Sequence, residues 1–356
     1  MKKVIITGVT GQDGSNMADY LLNEHDDVLV YGMSRRVSVP NDDNIKHLLN
    51  NDRFKLFHGD LTDSVSIDNA VKKYKPDFLF NFAANSYVGC SWTSPIHVWE
   101  TNTTGLLRCL EAVRNYAPDC RLYSAGSSEE MGDVDYSPQD LKHPIKPRSP
   151  YGASKAACRH LTKVYRDSYG LFAIHSILFN HEGTRRGEEF VTRKITKAVA
   201  RIKKSVEDKE SFQTLKLGNI ESRRDWSDSE DFVRGVWLMM QQDEPKEYVL
   251  ASGETHSIKD FVSAAFSAAG IPGLWSGEGM DAKFRIFQEN TILAEISEEF
   301  YRPAEVELLL GDPTDAKREL GWKPEVSFTS LVEKMVKADV EEVENNATLK
   351  KLRNSD

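Results

Sequence analysis

Tyr151 and Lys155, in the run Tyr151-Gly-Ala-Ser-Lys155, fall one turn apart on one face of any helix that contains them. There a lysine ammonium can stabilise a tyrosine phenolate. A phenol of ordinary pKa, about 10, must be lowered by roughly 3 units, or about 4 kcal/mol, to act as a base near neutral pH. A neighbouring cation supplies part of that. Upstream, Ser127-Ser-Glu129 offers a hydroxyl and a carboxylate. A base, a hydroxyl and a carboxyl group at one place can do more than oxidise an alcohol, because a carboxyl can take one proton and later give it back. Taken singly, Ser127 also reads as a turn residue and Glu129 as a carboxylate at a helix start.

A second cluster lies near the N-terminus. Gly8-Val-Thr10-Gly11-Gln12-Asp13-Gly14 falls between a β-branched run and a helical one. Glycines there permit a tight turn and close approach of the backbone to a pyrophosphate, with a helix N-terminus facing the phosphates. The spacing is G-x-x-G-x-x-G, and an ordinary Gly-rich turn is the alternative. About 20 residues further on, where a carboxylate would select NAD, the chain has Ser34-Arg35-Arg36. Guanidinium groups at Arg35 and Arg36 bind a 2′-phosphate, so the expected cofactor is NADP. Two solvated arginines are the bland reading. Asp60 and Leu61 follow the third strand and are placed to meet an adenine.

The elements that must position these residues alternate along the chain. Val4-Ile-Ile-Thr7 is a strand, and a helix over 15–24 follows with Met17, Leu21 and Leu22 inward. Val28-Leu-Val-Tyr31, Phe54-Lys-Leu-Phe57 and Phe78-Leu-Phe-Asn-Phe82 are further strands, with a helix over 64–74. Helices over 100–116 and 150–169 alternate with strands Arg121-Leu-Tyr-Ser124 and Ala173-Ile-His-Ser-Ile-Leu178. Apolar strands separated by helices imply a doubly wound parallel sheet, a Rossmann-type α/β domain over 1–180 that the chain rejoins around 228–250. The carboxyl ends of its strands line the crevice, which is where Ser127 and Glu129 fall. A smaller α/β substrate-binding domain is expected over about 181–227 and 251–340, with a polar tail over 341–356 that reads equally as a solvated helix end. Within it a basic helix covers 191–204, Lys203 to Ser211 reads as an exposed connection, and Gly and Pro punctuate 269–279 and 302–313. Residues 181–204 hold eight Lys/Arg and three Glu, a local charge of +5 that would suit a diphosphate; for Lys203 and Lys204 a solvated helix face explains it equally.

The whole chain, 356 residues with 40% hydrophobic and 28% charged, is long enough for one large domain or two ordinary ones. Its net charge of −9 argues against nucleic acid as a partner. Cys90, Cys109, Cys120 and Cys158 have no metal-ligand spacing and read as reduced thiols, which points to the cytoplasm. A strand begins at once after Met1, leaving no room for a signal peptide, and no apolar run is long enough to span a membrane.

The chain resembles the extended short-chain dehydrogenase/reductase family and, within it, the GDP-mannose 4,6-dehydratase family. The resemblance runs from Thr7 to about Met335. It rests on Thr7-Gly-Val-Thr-Gly-Gln-Asp-Gly14, Leu178-Phe-Asn-His-Glu182, Arg185-Arg-Gly187, Arg224-Asp-Trp226, Arg302-Pro-Ala-Glu-Val306 and Leu308-Leu-Leu-Gly-Asp-Pro313. It implies a hydro-lyase acting on GDP-mannose through bound NADP, with Tyr151 and Lys155 at the C4 hydroxyl, Ser127 on the C4 oxygen, and Glu129 as base and then acid. It further implies cofactor contacts at Ala83, Ala84, Ser86, Tyr151, Lys155, His181 and Arg186. Sugar-nucleotide contacts would come from Ser86, Asn180, Lys194, Arg224, Arg302 and Glu305. A homodimer or homotetramer is implied as well.

The chain departs from that pattern at several places. Gly126-Ser-Ser-Glu-Glu-Met-Gly132 stands where the family reads Ser-Thr-Ser-Glu-Leu-Tyr-Gly, so Glu130 and Met131 are unusual neighbours. Asn85-Ser86-Tyr87 replaces Gln-Ser-His, and Gly183-Thr184 replaces Ser-Pro. Hydroxyl and carboxylate survive. Rival readings are a nucleotide-sugar epimerase or decarboxylase of the same fold, and a non-catalytic NADP-binding module, which could dispense with Tyr151 and Lys155.

Overall fold

The computed structural model describes residues 1–287, 289–300 and 308–353, without the side chains of 349–353. The chain forms two units. The first comprises Met1–His181, Ser227–Gly253 and Leu309–Glu325; the second comprises Glu182–Trp226, Glu254–Leu308 and Val326–Asp356.

The first unit is built on seven parallel strands. β1 (Lys2–Thr7), β2 (Val28–Ser34), β3 (Phe54–His58), β4 (Phe78–Asn81), β5 (Arg121–Ala125) and β6 (Ala173–Leu178) are joined by a short strand, Val249–Leu250. Their order is Val249–Leu250, β6, β5, β4, β1, β2, β3, and every pairing is parallel. The order reverses between β1 and β4. That switch point is where open α/β sheets bind ligands, beyond the carboxyl ends of the strands.

Alternation along each strand explains why both faces are covered. Val4 and Ile6 point into one core with Met17 and Leu21 of helix Gln12–Glu24 and Phe232 and Val236 of helix Ser229–Met240. Ile5 points into the other with Ile67, Val71, Leu110 and Tyr165. One register row runs across the strand ends, Met33–Thr7–Asn81–Ser124–His175. The chemistry-bearing residues sit just past that row.

In the second unit, Ile195 and Val199 of helix Val191–Asp208, Phe261 and Phe266 of helix Ile258–Ala268, and Leu331 and Met335 of helix Phe328–Arg353 share a core. A four-stranded sheet flanks it in the order Gly273–Ser276, Lys283–Ile286, Ile292–Ile296, Leu215–Leu217.

Several boundaries differ from those read in the sequence. The first helix starts at Gln12, inside the Gly loop, with Gly11 as its N-cap. Residues Glu100–Thr104 form a π-helical turn ahead of helix Gly105–Tyr116. The basic helix does not stop at 204: Lys203–Glu207 and Lys204–Asp208 pairs, each four residues apart, carry it to Asp208. Leu309–Glu325 belongs to the first unit, because Trp322 is fully buried there and its indole donates to the Asp231 carbonyl at 2.8 Å. Residues 341–353 are no separate tail but the continuation of helix Phe328–Arg353, where Glu342 pairs with Lys197 at 2.7 Å. Among the described residues no helix is long and apolar enough to cross a membrane.

Candidate active site

The Gly loop leaves β1 through Gly8, whose φ of +67° only glycine adopts without strain, and a Cβ there would lie 2.8 Å from the Ala83 backbone. Thr7 and Ala83 are tied together as well: the Thr7 hydroxyl donates to Asn81 Oδ1 at 2.7 Å and accepts from the Ala83 N–H at 3.1 Å. Gly8, Thr10, Gly11, Ala83 and Ala84 therefore form the rim of the switch point. Gly11 caps helix Gln12–Glu24 with no side-chain hydrogen bond. No N-cap side chain competes for the first-turn N–H groups, and a helix N-terminus of this kind stabilises an anion. Asp13, in that turn, meets His181 Nε2 at 3.0 Å, while Gln12 donates to the His181 carbonyl at 3.1 Å. His181 in turn stacks on Phe232.

Arg35 and Arg36 are exposed just past the end of β2. Asp60, past β3, is partly desolvated, yet the N–H and hydroxyl of Thr62, both at 2.8 Å, and the charge of Arg35 hold its carboxyl below the usual range. Leu61 beside it is buried. Ser86 is exposed on the loop after β4.

Past β5 lie Ser127 and Glu129. Helix Pro150–Tyr169 begins with Ser149 as N-cap, its hydroxyl accepting from the Gly152 N–H at 3.0 Å, and Pro150 in the first turn. This fixes Tyr151 at the helix start. A Cβ on Gly152 would lie 2.5 Å from the Glu129 carbonyl oxygen, so the Glu129 turn packs directly on the turn that carries Tyr151. Tyr151 and Lys155 are both buried, with the ammonium 5.9 Å from the phenol ring centre and donating to the Ala125 carbonyl at 2.7 Å. Ser127 lies close enough to Tyr151 to favour its ionised form. Burial pushes the Tyr151 phenol up; Lys155 and Ser127 act against that, and the charges of Glu129 and Glu130 add to it. The Tyr-Lys pairing thus works in the direction read from the sequence, but burial outweighs it in the protein alone.

Asn180, after β6, has a buried amide oxygen without a hydrogen-bond partner. In the second unit, Arg186 meets Glu182 at 3.0 Å and covers the Phe190 ring at 3.5 Å. Lys194 is half-buried over Phe300 at 3.3 Å, and desolvation lowers its pKa. Arg224 lies in a two-residue strand opposite His256. Arg302 and Glu305 lie outside the described residues. Much of the +5 stretch is already matched by carboxylates: Arg193 meets Asp339 at 2.9 Å and Lys197 meets Glu342 at 2.7 Å. The local charge is therefore not the free anion patch that the sequence suggested.

A family model for GDP-mannose 4,6 dehydratase matches residues 5–335. The chain belongs to the GDP-mannose 4,6-dehydratase family. It is 41% identical to the GDP-mannose 4,6-dehydratase of Yersinia enterocolitica over 98% of this chain and 97% of that protein. It is 39% identical to the human GDP-mannose 4,6 dehydratase over 96% of this chain and 92% of that one. A crystal structure of dTDP-glucose 4,6-dehydratase from Bacillus anthracis in complex with NAD superposes with a TM-score of 0.78, covering 97% of this chain and 98% of that one at 18% identity. At that identity the likeness shows the fold.

For a GDP-mannose 4,6-dehydratase family member, two features of the site were not read from the sequence. Asn102, in the π-helical turn, exchanges hydrogen bonds with the Asn85 backbone at 2.8 and 3.2 Å and donates to Ser154 Oγ at 3.1 Å. It thereby ties the loop after β4 to the helix bearing Tyr151, and π turns recur at functional sites. The other is the buried pair Glu130 and His175, 2.9 Å apart. An Asn beside threonines and a His inside a strand carry no spacing signal, so neither was findable from one sequence.

Proposed function

We propose that this chain converts GDP-mannose to GDP-4-keto-6-deoxymannose by loss of water, with NADP held in the first unit. The observation that carries the reading is the convergence of Tyr151, Ser127 near enough to act on its phenol, and Glu129 packed against the same helix turn across Gly152. An epimerase that only oxidises and re-reduces one carbon has no need of the carboxyl. The loop suits a dinucleotide: its backbone runs against Ala83 with no side chain between, and the helix N-terminus is bare. Exposed Arg35 and Arg36 favour a 2′-phosphate, hence NADP over NAD.

NADP, when bound, supplies a hydride acceptor that is also a hydride donor, so none is consumed. Tyr151 takes the proton of the C4 hydroxyl, with Lys155 stabilising the phenolate against the burial that opposes it. Ser127 donates to the C4 oxygen. A ketone at C4 acidifies the C5 hydrogen, which Glu129 removes and then delivers to the departing C6 hydroxyl. One carboxyl serves both steps because they need it in opposite protonation states. Asn180, Lys194, Arg224, Arg302 and Glu305 are assigned to the nucleotide sugar. Lys194, its pKa lowered by partial burial, is suited to a diphosphate, whose negative charge would act against that shift. The four free cysteines, three of them buried, suit a reducing cytoplasm, and the reading carries with it a homodimer or homotetramer.

The test is to incubate the protein with GDP-mannose and catalytic NADP+ and weigh the nucleotide sugar. Loss of one water without lasting NADPH is the expected outcome. An unchanged mass with a new isomer would instead identify an epimerase.

A further inference from the structure

Behind Ser127 lies a buried polar chain that the mechanism above does not use. The Glu130 carboxylate, fully buried, accepts from the Ser127 backbone N–H at 2.8 Å through Oε1. The same oxygen meets His175 Nε2 at 2.9 Å, and His175, also fully buried, meets the Ser124 hydroxyl at 3.0 Å through Nδ1. Ser124 and His175 are register partners on β5 and β6. The chain therefore runs from the rigid sheet to the main chain of Ser127.

A side chain reaching back to an N-cap N–H is a common way to start a helix, and it is ordinarily exposed. Here the turn is only Ser128–Glu130, yet a carboxylate is taken wholly out of water to cap it. Its second oxygen, Oε2, is buried with no hydrogen-bond partner. Burying a charged group is costly, and a half-satisfied one more so. The space is reserved for it as well: a Cβ on Gly126 would lie 2.4 Å from His175 Nε2 and 2.8 Å from Glu130 Oε1. Groups held in a fixed geometry by a buried shell are what a reacting hydroxyl requires.

We propose that Glu130, held by His175, is a positioning residue that fixes the Ser127 turn, and with it the place of the Ser127 hydroxyl beside Tyr151. The proposal rests on the dehydratase reading for its catalytic consequence, though not for its geometry. Glu130 also acts on Tyr151 through space. Its charge faces Tyr151 and Cys158 on helix Pro150–Tyr169, Tyr123 on β5 and His175 on β6, while Lys155 and Glu129 face the same phenol.

The test is a double-mutant cycle between Glu130 and Ser127, read in two ways. The first readout needs no substrate: the phenolate absorbance of Tyr151, taken as the difference between each protein and its Tyr151→Phe counterpart. Ser127→Ala removes a neighbour that favours the phenolate, so it raises the Tyr151 midpoint in the wild type. The expectation is the same rise in a Glu130→Gln background, where the amide oxygen still accepts from Ser127, and no rise in Glu130→Leu. Glu130→Gln also moves the midpoint down, because a negative neighbour is gone. The second readout is turnover. Glu130→Leu lowers kcat by about a hundredfold with KM for GDP-mannose little changed. Adding Ser127→Ala to it costs nothing more, and Glu130→Gln restores most of the rate. Equal effects of Ser127→Ala in the wild type and in Glu130→Leu, in either readout, would overturn the proposal. Should Glu130→Leu not fold, loss of the Ser127→Ala effect in the Glu130→Gln background overturns it on its own. A wild type inert toward GDP-mannose with the titration cycle intact would remove the substrate reading and leave the positioning pair standing.

Discussion

Glu129 is the residue on which the reading turns. It sits beside a phenol that burial and two carboxylates push up, and that Lys155 and Ser127 pull down. The Glu129 carboxyl is not among the residues assigned to the dinucleotide. Glu129→Gln is therefore expected to keep NADP affinity while dehydration falls by about 10²- to 10⁴-fold. Mass analysis of the product, alongside NADP titration, checks both halves; full activity would remove Glu129 from the mechanism. The arginines past β2 make a separate case. Arg35 lies close enough to Asp60 to lower its pKa, and both guanidinium groups remain exposed. Replacing Arg35 and Arg36 together with Ala should weaken NADP by roughly ten- to a hundredfold and NAD hardly at all. Equal losses for the two dinucleotides would reject the 2′-phosphate assignment.

At the scale of elements, the site depends on how closely one turn can rest on another. Helix Pro150–Tyr169 presents Tyr151 in its first turn because Ser149 and Pro150 fix its start, and it meets the Glu129 turn across the bare Cα of Gly152. Gly152→Ala puts a methyl group 2.5 Å from the Glu129 carbonyl oxygen, where backbone must shift to admit it. The expected cost is about 1–3 kcal/mol of stability, with turnover lost more steeply than NADP affinity. A melting curve and a binding titration on the same preparation measure the two. Unchanged melting and turnover would mean that the turns are not in contact.

For the whole molecule, the first unit is closed by a segment from late in the chain. Trp322 is fully buried, donates to the Asp231 carbonyl at 2.8 Å and packs edge-on against Phe232 at 5.8 Å. Phe232 also stacks on His181, next to Asp13 in the first turn of helix Gln12–Glu24. Trp322→Ala should cost about 3–5 kcal/mol, visible as a lower denaturation midpoint. It should also weaken NADP, because its loss loosens the support under His181. Stability lost with NADP affinity untouched would confine Trp322 to the core.

Read as a string, the chain already determines the doubly wound parallel sheet, because apolar runs of strand length alternating with helices leave few other ways to bury both. The positions of Gly8, Gly11, Arg35, Tyr151 and Lys155 are legible for the same reason: they rest on spacing within one turn or one loop, which sequence carries directly. What the tertiary structure alone decides are relations between residues far apart in number. Glu130 and His175 meet only because β5 and β6 are neighbours in register, Asn102 reaches Asn85 only through a π turn, and Trp322 joins the first unit only because the chain returns to it. The basic stretch at 181–204 was misleading for the same reason, since the carboxylates of Asp339 and Glu342 that answer it lie on a helix far along the chain. Local preference is written in neighbouring residues; burial, charge pairing and close backbone approach depend on distance in space, and only the folded chain sets that.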